Sequence, residues 1–333
     1  MLQPMLTNIS VLGSGSWATA LVKIFAESGV KVVWLVRSEA QAAYIKENKR
    51  NPRYLSQAPL DLNFIKPVVH VEEALADAQL VIFAMPSAHL VEMAGHIRPE
   101  WLQGKQLAVS IKSFVPGTGF IPGVFLGRHF NVPGSVIFLG GPCHAEEVAL
   151  NRNTYLTVAG RDKEQVEKIC NSITAPYIRA VPNDDPLGVE YAGILKNIIG
   201  IGTGIASGLH YGENFLAALA SNAMRELHSF LHAVHAVERD LFDSAYFGDM
   251  LVTAYSGYSR NRTLGKLIGR GMRVTKALQS MQMVAEGYYA SFELAAIMRQ
   301  MNISLPIMNS INRILHHHGN PFHEFRLVEQ QLR

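Results

Sequence analysis

Two lysines lie in apolar surroundings where an unpaired cation is costly. Lys112 follows an apolar run typical of a buried strand, and Lys196 with Asn197 interrupts the strongly apolar helical stretch 189–199. Buried groups of this kind need partners, and a positioned ammonium can stabilise developing negative charge and supply a proton. We interpret both lysines as candidate catalytic groups. The alternatives are a surface lysine at 112 and a solvated helix edge at 196.

A second polar group lies farther along the chain. The run Ser259-Arg260-Asn261-Arg262 precedes a helical segment that begins near Thr263. Arginine and amide side chains at a helix N-terminus are suited to binding a phosphate. Asp249 and Thr253 are one helical turn apart and are candidates to hydrogen-bond Lys196 and orient it. The alternatives are a solvated loop for the arginines and a helix cap for Asp249.

The glycine-rich run Gly13-Ser14-Gly15-Ser16-Trp17-Ala18 is typical of a dinucleotide-binding turn. It joins an apolar strand, 9–12, to a helical period, 17–27. Gly13 permits a tight turn, Gly15 allows close approach to a pyrophosphate, and the helix N-terminus offers free N–H groups. The pattern predicts a nicotinamide cofactor, with a glycine turn that binds nothing as the alternative.

The end of the second predicted strand bears on which nicotinamide cofactor is preferred. An acidic residue usually holds the ribose hydroxyls of NAD there. This chain has Arg37 and Ser38, which are suited to a 2′-phosphate, although Glu39 follows directly. We therefore predict a preference for NADP with NAD tolerated; an ordinary surface cation is the alternative for Arg37.

The order of the predicted elements indicates two domains. Strands alternate with helices up to the Asn183-Asp184-Asp185-Pro186 run, and only helical periods follow. This pattern predicts an α/β fold, with an N-terminal Rossmann-type doubly wound sheet at 1–185 and an all-helical C-terminal domain at 186–333. The predicted strands are 9–12, 30–36, 80–84, 107–111, 136–139, 155–158 and 177–181. The main predicted helices after the boundary are 187–206, 215–239, 263–268 and 274–299.

Composition narrows the classes of function. Among 333 residues, 17% are charged and the net charge is +3, which argues against a nucleic-acid partner. Cys143 and Cys170 fit neither a disulfide framework nor a zinc motif. The longest uncharged apolar run, 198–209, is too short to cross a membrane, and the N-terminus reads as a strand. We therefore expect a cytoplasmic protein with no membrane span.

At this point several stretches together resemble one family, the bacterial-type NAD(P)-dependent glycerol-3-phosphate dehydrogenases. The resemblance extends along nearly the whole chain, and the order and spacing of the motifs make it specific. The matching stretches are GSGSWATAL at 13–21, IKS at 111–113, GPCHAEEV at 141–148, VEYAGILKNIIGIGTGIASGL at 189–209, GDMLVT at 248–253, SRNRTLGKLIGRG at 259–271 and AEGYYA at 285–290.

The resemblance implies roles for individual residues. Lys196 would be the catalytic proton donor, with Lys112 and Asp249 as its catalytic partners. Together with Asn197 and Thr253 from the residue patterns above, the candidate substrate-binding residues are Lys112, Gly141, Cys143, Lys196, Asn197, Asp249, Thr253, Ser259, Arg260 and Asn261. The implied cofactor-binding residues are Gly13, Gly15, Ser16, Trp17, Arg37, Lys112, Ala145, Arg260 and Glu286. No metal is implied.

Four positions depart from the pattern of the resembled family. Ala18 and Ser113 stand where glycine is usual, Cys143 replaces a serine, and His144 replaces an aromatic residue. A thiol is a weaker hydrogen-bond donor than a hydroxyl, so the detail of the substrate contacts differs while the class of reaction is retained.

The resemblance implies reduction of dihydroxyacetone phosphate to sn-glycerol 3-phosphate, so that the partner is a small phosphorylated ketone or polyol and the product supplies glycerophospholipid synthesis. A homodimer is the ordinary expectation for such a protein. Two alternatives stay open. One is a related dehydrogenase for another phosphorylated ketose or a hydroxy acid, and the other is a catalytically silent NADP-binding sensor.

Overall fold

The computed structural model describes residues 5–281 and 283–333, which form two compact units. Among these described residues, unit 1 spans 5–111 and 122–186, and unit 2 spans 112–121, 187–281 and 283–333. The predicted domains, 1–185 and 186–333, differ from these units in the segment 112–121 and by one residue at Pro186. That segment packs within unit 2, where the Phe114 and Tyr191 rings have centroids 6.2 Å apart.

Unit 1 contains a single sheet of eight strands. They are β1 (Asn8–Leu12), β2 (Lys31–Leu35), β3 (Ile65–Val68), β4 (Leu80–Phe83), β5 (Gln106–Val109), β6 (Ile137–Gly140), β7 (Thr154–Ala159) and β8 (Ile178–Asn183). Their order is β3-β2-β1-β4-β5-β6-β7-β8. All neighbours are parallel except β6 and β7. The chain winds in opposite directions from β1, and this switch point is where α/β sheets bind ligands.

The predicted sheet is confirmed, and one strand was missed. Central strands such as β4 are buried at every position, as expected for a parallel sheet covered on both faces. Strand β3 escaped prediction because its four residues include the exposed Lys66 and also Pro67, which is unusual in strands. The helices of unit 1 are α1 (Ser16–Glu27), α2 (Glu39–Asn48), α3 (Val71–Leu75), α4 (Leu90–Gly95), α5 (Pro122–His129), α6 (Ala145–Ala149) and α7 (Lys163–Asn171).

The regular elements that the structure describes in unit 2 are all helices, as predicted. Helix α8 (Pro186–Gly208) begins at the border between the units, at a proline favoured in a first helical turn. It is followed by α9 (Glu213–Val234), a π-helical turn (Ser244–Gly248), α10 (Asp249–Tyr255), α11 (Arg260–Gly269), α12 (Val274–Ser280), α13 (Glu286–Met301), α14 (Pro306–His316) and α15 (Pro321–Glu329).

Three helix predictions are wrong. The helix expected to begin near Thr263 is α11, and it begins at Arg260 because the Ser259 hydroxyl caps its first turn. The single helix expected over 274–299 is two helices, α12 and α13. Because a new helix starts at Glu286, the Gly287 N–H has no intrahelical acceptor and donates to Asn261 Oδ1 at 2.9 Å. In a continuous helix this N–H would bond to a backbone carbonyl of the preceding turn. Helix α9 ends at Val234 rather than at Arg239, because His235 leaves the helical conformation. The Arg239 side chain donates to His235 O at 2.8 Å instead.

Glycines bring α8 and α11 into close backbone contact within unit 2. A Cβ at Gly204 would overlap the carbonyl oxygen of Arg262, and a Cβ at Gly265 would overlap that of Ile201. Close approach of this kind needs residues without side chains on both helices. It fixes α11 against the C-terminal half of α8, which is the helix that carries Lys196.

Glu226 of α9 is a buried carboxyl group that caps α14. It accepts hydrogen bonds from Ile307 N at 2.6 Å and Met308 N at 3.1 Å. Burial raises the pKa of Glu226 to about 7, although the two backbone donors oppose the shift. In the folded state the Glu226 carboxyl group therefore keeps its proton at a pH at which the same group in the unfolded chain has lost it.

We expect the stability of the protein to fall as the pH rises from 5 to 8 through this group. Between the ordinary carboxyl pKa and the raised one, the folded state binds more protons than the unfolded state, so a rising pH favours unfolding. The Glu226 contribution is about 2 kcal/mol over this range. Glu226→Gln, which resembles the protonated form, should remove it. Urea unfolding of both proteins at each pH measures the difference, and parallel pH profiles would contradict the assignment.

Candidate active site

The glycine turn of unit 1 has the shape that a dinucleotide pyrophosphate requires. Gly13 has φ +129°, and a Cβ there would overlap the carbonyl oxygen of Ala84. Trp34 Nε1 holds the turn from below by donating to Gly13 O at 2.7 Å. A Cβ at Gly15 would meet nothing within 4 Å, so the space beside it is open. Gly15 is also the N-cap of α1 and brings no side chain to the free N–H groups, which fits a bound anion.

Trp17 is tied to the ends of two strands. Its Nε1 donates to Ser110 Oγ at 2.6 Å, and Ser110 Oγ donates to Leu139 O at 2.6 Å. Ser16 and Trp17 are the first residues of α1. This chain of hydrogen bonds therefore connects the start of α1 with the carboxyl edge of the sheet.

The end of β2 carries an exposed cation. Arg37 is exposed, and its backbone N–H donates to Gln41 Oε1 at 3.2 Å. Ser38 caps α2, because its hydroxyl accepts from Gln41 N at 3.2 Å. Of the two groups proposed to hold a 2′-phosphate, Ser38 thus has a structural role as well.

The predicted substrate residues Gly141 and Cys143 and the predicted cofactor residue Ala145 follow β6 in unit 1. Gly141 comes directly after the strand, and the Cys143 thiol donates to Gly141 O at 3.1 Å. His144 is the N-cap of α6, and the buried Ala145 is its first residue. All four lie at the carboxyl end of a strand in the parallel part of the sheet, the edge at which such sheets bind ligands.

Unit 2 brings the two candidate lysines to one carboxylate. Lys196 Nζ donates to Asp249 Oδ1, and Lys112 Nζ donates to Asp249 Oδ2 at 3.0 Å. The side chains of Lys196 and Asp249 are 7% and 2% exposed, while that of Lys112 is 17% exposed. Two ammonium groups with one carboxylate leave a formal charge of +1. The cluster can therefore stabilise negative charge on a bound oxygen.

Hydrogen bonds to the backbone hold this cluster in place. Thr253 Oγ1 donates to Asp249 O at 3.0 Å within α10, and Asn197 Nδ2 donates to Lys112 O at 2.9 Å. Asn197 is thus next to Lys196 in α8 and bonded to the backbone of Lys112. It fixes the two lysines relative to each other.

The predicted phosphate-binding residues lie at the start of α11. Ser259 is the N-cap and accepts from Arg262 N at 3.2 Å. Arg260 is exposed, and its Nη1 donates to Val284 O at 3.2 Å. The buried Asn261 accepts from Gly287 N at 2.9 Å, which brings Glu286, the first residue of α13, beside this end of α11.

Several residues that support these sites were missed in the sequence. Gly204 and Gly265 belong to glycines spaced four residues apart in α8 and α11, and that spacing is a readable signal of close helix packing. Asn51 contacts the glycine turn, but a single asparagine in a polar stretch gives no signal. The sequence placed Ser110 in a predicted strand and gave no sign that it would hydrogen-bond to Trp17.

A Rossmann-type sheet with an open glycine turn, accompanied by a helical unit with a buried lysine cluster, defines a nicotinamide-dependent dehydrogenase. Residues 8–166 match the family described as NAD-dependent glycerol-3-phosphate dehydrogenase N-terminus, and residues 185–325 match its C-terminus. The chain belongs to this NAD-dependent glycerol-3-phosphate dehydrogenase family, and the predicted family is confirmed.

Individual relatives agree with this assignment. Glycerol-3-phosphate dehydrogenase [NAD(P)+] of Clostridium botulinum is 31% identical over 316 residues, covering 95% of both chains. The Staphylococcus aureus protein of that name is 31% identical over 314 residues, covering 93% of this chain and 94% of its own. The crystal structure of glycerol-3-phosphate dehydrogenase from Coxiella burnetii has a TM-score of 0.90 and 27% identity, covering 98% of this chain and 99% of that one.

The expectation of no membrane span can be compared with the length and hydropathy of the helices. Within residues 5–281 and 283–333, none of the helices is both long and apolar enough to cross a membrane.

Proposed function

We propose that this protein reduces dihydroxyacetone phosphate to sn-glycerol 3-phosphate with NAD(P)H. The observation that carries the proposal is the cluster in which Asp249 binds both Lys196 and Lys112. Family membership supports the class of reaction, and the names of the relatives support the substrate. Reduction of a ketone needs a group that stabilises and then protonates the oxygen, and the cluster offers both.

Bound NAD(P)H supplies the hydride that reduces the carbonyl carbon. Negative charge then builds on the carbonyl oxygen, and Lys196 stabilises it and donates a proton from Nζ. Lys112 adds a second positive charge. Asp249 directs both ammonium groups and limits the cost of burying them. Oxidation of glycerol 3-phosphate uses the same groups in reverse, with Lys196 accepting the proton.

For the cofactor, Gly13, Gly15, Ser16 and Trp17 would hold the pyrophosphate at the start of α1, and Arg37 would hold the adenosine ribose or its phosphate. The exposed guanidinium at the end of β2 supports a preference for NADP over NAD. The residues that the family resemblance adds are Lys112, Ala145, Arg260 and Glu286.

For the substrate, we assign the phosphate to the start of α11. Ser259, Arg260 and Asn261 would bind it together with the backbone N–H groups of the first turn. Gly141, Cys143, Asn197 and Thr253 complete the proposed set. Because the phosphate is remote from the reacting carbon, its binding energy orients the ketone and contributes to turnover as well as to affinity.

Arg260→Ala should raise KM for dihydroxyacetone phosphate by about 10- to 100-fold, the range expected for a lost charge-assisted contact to a phosphate. Weak turnover of unphosphorylated dihydroxyacetone should change much less. Arg273→Ala, at the exposed N-cap of α12, is the matched control. Steady-state kinetics with both ketones make the comparison, and unchanged constants with the phosphorylated ketone would remove Arg260 from the phosphate site.

The reaction itself is tested by following NADPH and NADH absorbance with the purified protein. Oxidation on addition of dihydroxyacetone phosphate, with little on addition of dihydroxyacetone, supports the proposal, and the faster cofactor decides the preference at Arg37. Tight NADPH binding without oxidation would instead favour another phosphorylated ketose or hydroxy acid. If other ketones also failed, the silent NADP-binding sensor would be the better assignment.

We also propose that the protein acts as a cytoplasmic homodimer whose product enters glycerophospholipid synthesis. Light scattering coupled to size-exclusion chromatography measures the oligomeric state. Cell fractionation tests the compartment, and the lipid composition of cells lacking the protein tests the role of the product.

A further inference from the structure

Asn51 lies in the connection between α2 and β3, and its side chain reaches the glycine turn. Its accessible surface is fully buried. Nδ2 donates to Ser14 O at 3.2 Å and to Thr19 Oγ1 at 2.8 Å. Oδ1 accepts from Arg53 N at 3.0 Å and Tyr54 N at 3.3 Å. Both the nitrogen and the oxygen of the amide are therefore hydrogen-bonded, and the nitrogen bonds to the turn and to Thr19.

Thr19 completes a small network under the turn. Its hydroxyl is fully buried and donates to Gly15 O at 2.9 Å while it accepts from Asn51. The carbonyl groups of Ser14 and Gly15 are consequently both held by side-chain donors. Two consecutive peptide groups of the turn thus have a fixed orientation.

This orientation determines where the N–H groups point. In a trans peptide the C=O and N–H bonds lie in one plane and point in opposite directions, and the described backbone contains no cis peptide. Fixing the carbonyls of Ser14 and Gly15 toward Asn51 and Thr19 therefore turns the N–H groups of Gly15 and Ser16 away from them. The side of Gly15 on which a Cβ would project is open space.

We infer that Asn51 and Thr19 are positioning residues that aim the Gly15 and Ser16 amides at the pyrophosphate of the dinucleotide. This inference rests on the proposed function, because it assumes that the turn binds NAD(P)H. Preorganised donors bind an anion without the cost of reorienting the backbone. A competing interpretation is that Asn51 only anchors the segment that contains Arg53 and Tyr54.

The two interpretations differ in what Asn51→Asp and Thr19→Val should do. Asn51→Asp keeps the oxygen that accepts from Arg53 N and Tyr54 N but loses the donor to the turn. Thr19→Val keeps the volume and loses the hydroxyl, whereas Thr19→Ser keeps the hydroxyl and serves as the control. If Asn51 is only an anchor, Asn51→Asp keeps the bonds from Arg53 N and Tyr54 N, and nucleotide affinity should not change in either Asn51→Asp or Thr19→Val.

The test measures NADPH binding by fluorescence, and then its displacement by ADP-ribose, which contains the pyrophosphate, and by adenosine, which lacks it. We expect the Kd values of NADPH and ADP-ribose to rise about tenfold in Asn51→Asp and at least threefold in Thr19→Val. Adenosine should change little, and Thr19→Ser should resemble the wild type. Because salt screens a buried charge only weakly, the neutral variant Thr19→Val separates lost positioning from the charge repulsion that Asn51→Asp adds.

The outcomes are distinct. Unchanged ADP-ribose affinity in folded variants, an equal loss for adenosine, or normal ADP-ribose affinity in Thr19→Val would overturn the inference and leave the proposed function intact. Failure of the wild-type protein to bind NADPH would overturn both.

Discussion

Replacing Lys196 by methionine is expected to lower kcat for ketone reduction by about a thousandfold or more while NADPH binding is retained. General acid catalysis and charge stabilisation are both lost with the ammonium group. Methionine fills most of the volume of the lysine stem, and Asp249 keeps Lys112 as its partner at 3.0 Å. The remaining carboxylate is therefore still paired, and the variant should fold.

Single-turnover measurements of NADPH oxidation test this expectation, because they isolate the chemical step from product release. Lys276→Met makes the same chemical change at an exposed position of α12 and should leave the rate unaltered. Equal rates for Lys196→Met and the wild type would transfer the role of proton donor to another group, with Lys112 as the first candidate.

The parts of the fold that were predictable depend on local sequence. The alternation of strands and helices, the glycine turn after β1 and the change to helices at Pro186 all follow from residues close together in the chain. Lys196 attracted attention for a similar reason, since an ammonium in an apolar helix needs a partner. In each case the physical cost or preference is visible within one element.

The rest depends on contacts between distant segments. Lys112 and Asp249 are 137 residues apart, and their ion pair exists only because 112–121 packs in unit 2. The bond from Gly287 N to Asn261 Oδ1 depends on the break before α13, which helical periodicity does not predict. Asn51 reaches Ser14 across 37 residues. Tertiary packing decides such features, and it overrides local helical propensity where the two conflict.

Replacing Asp249 by asparagine is expected to have the largest effect on stability, because it leaves two lysines facing a neutral side chain. Breaking a buried ion pair by removing one partner typically costs about 3–5 kcal/mol, and asparagine keeps the shape of the side chain. The 17% exposure of Lys112 allows it some hydration, so we expect about 3 kcal/mol. Turnover should also fall by about a hundredfold, since Lys196 loses its orienting partner.

The double variant Asp249→Asn with Lys112→Met separates charge from packing. If repulsion between the ammonium groups causes the loss, removing Lys112 should restore part of the stability, and the two changes will be non-additive. Turnover should not recover, because Lys196 still lacks its carboxylate. Urea unfolding of the wild type, both single variants and the double variant completes the cycle. Simple additivity would mean that Asp249 holds the two lysines independently, and the two cations would then not act as one electrostatic unit.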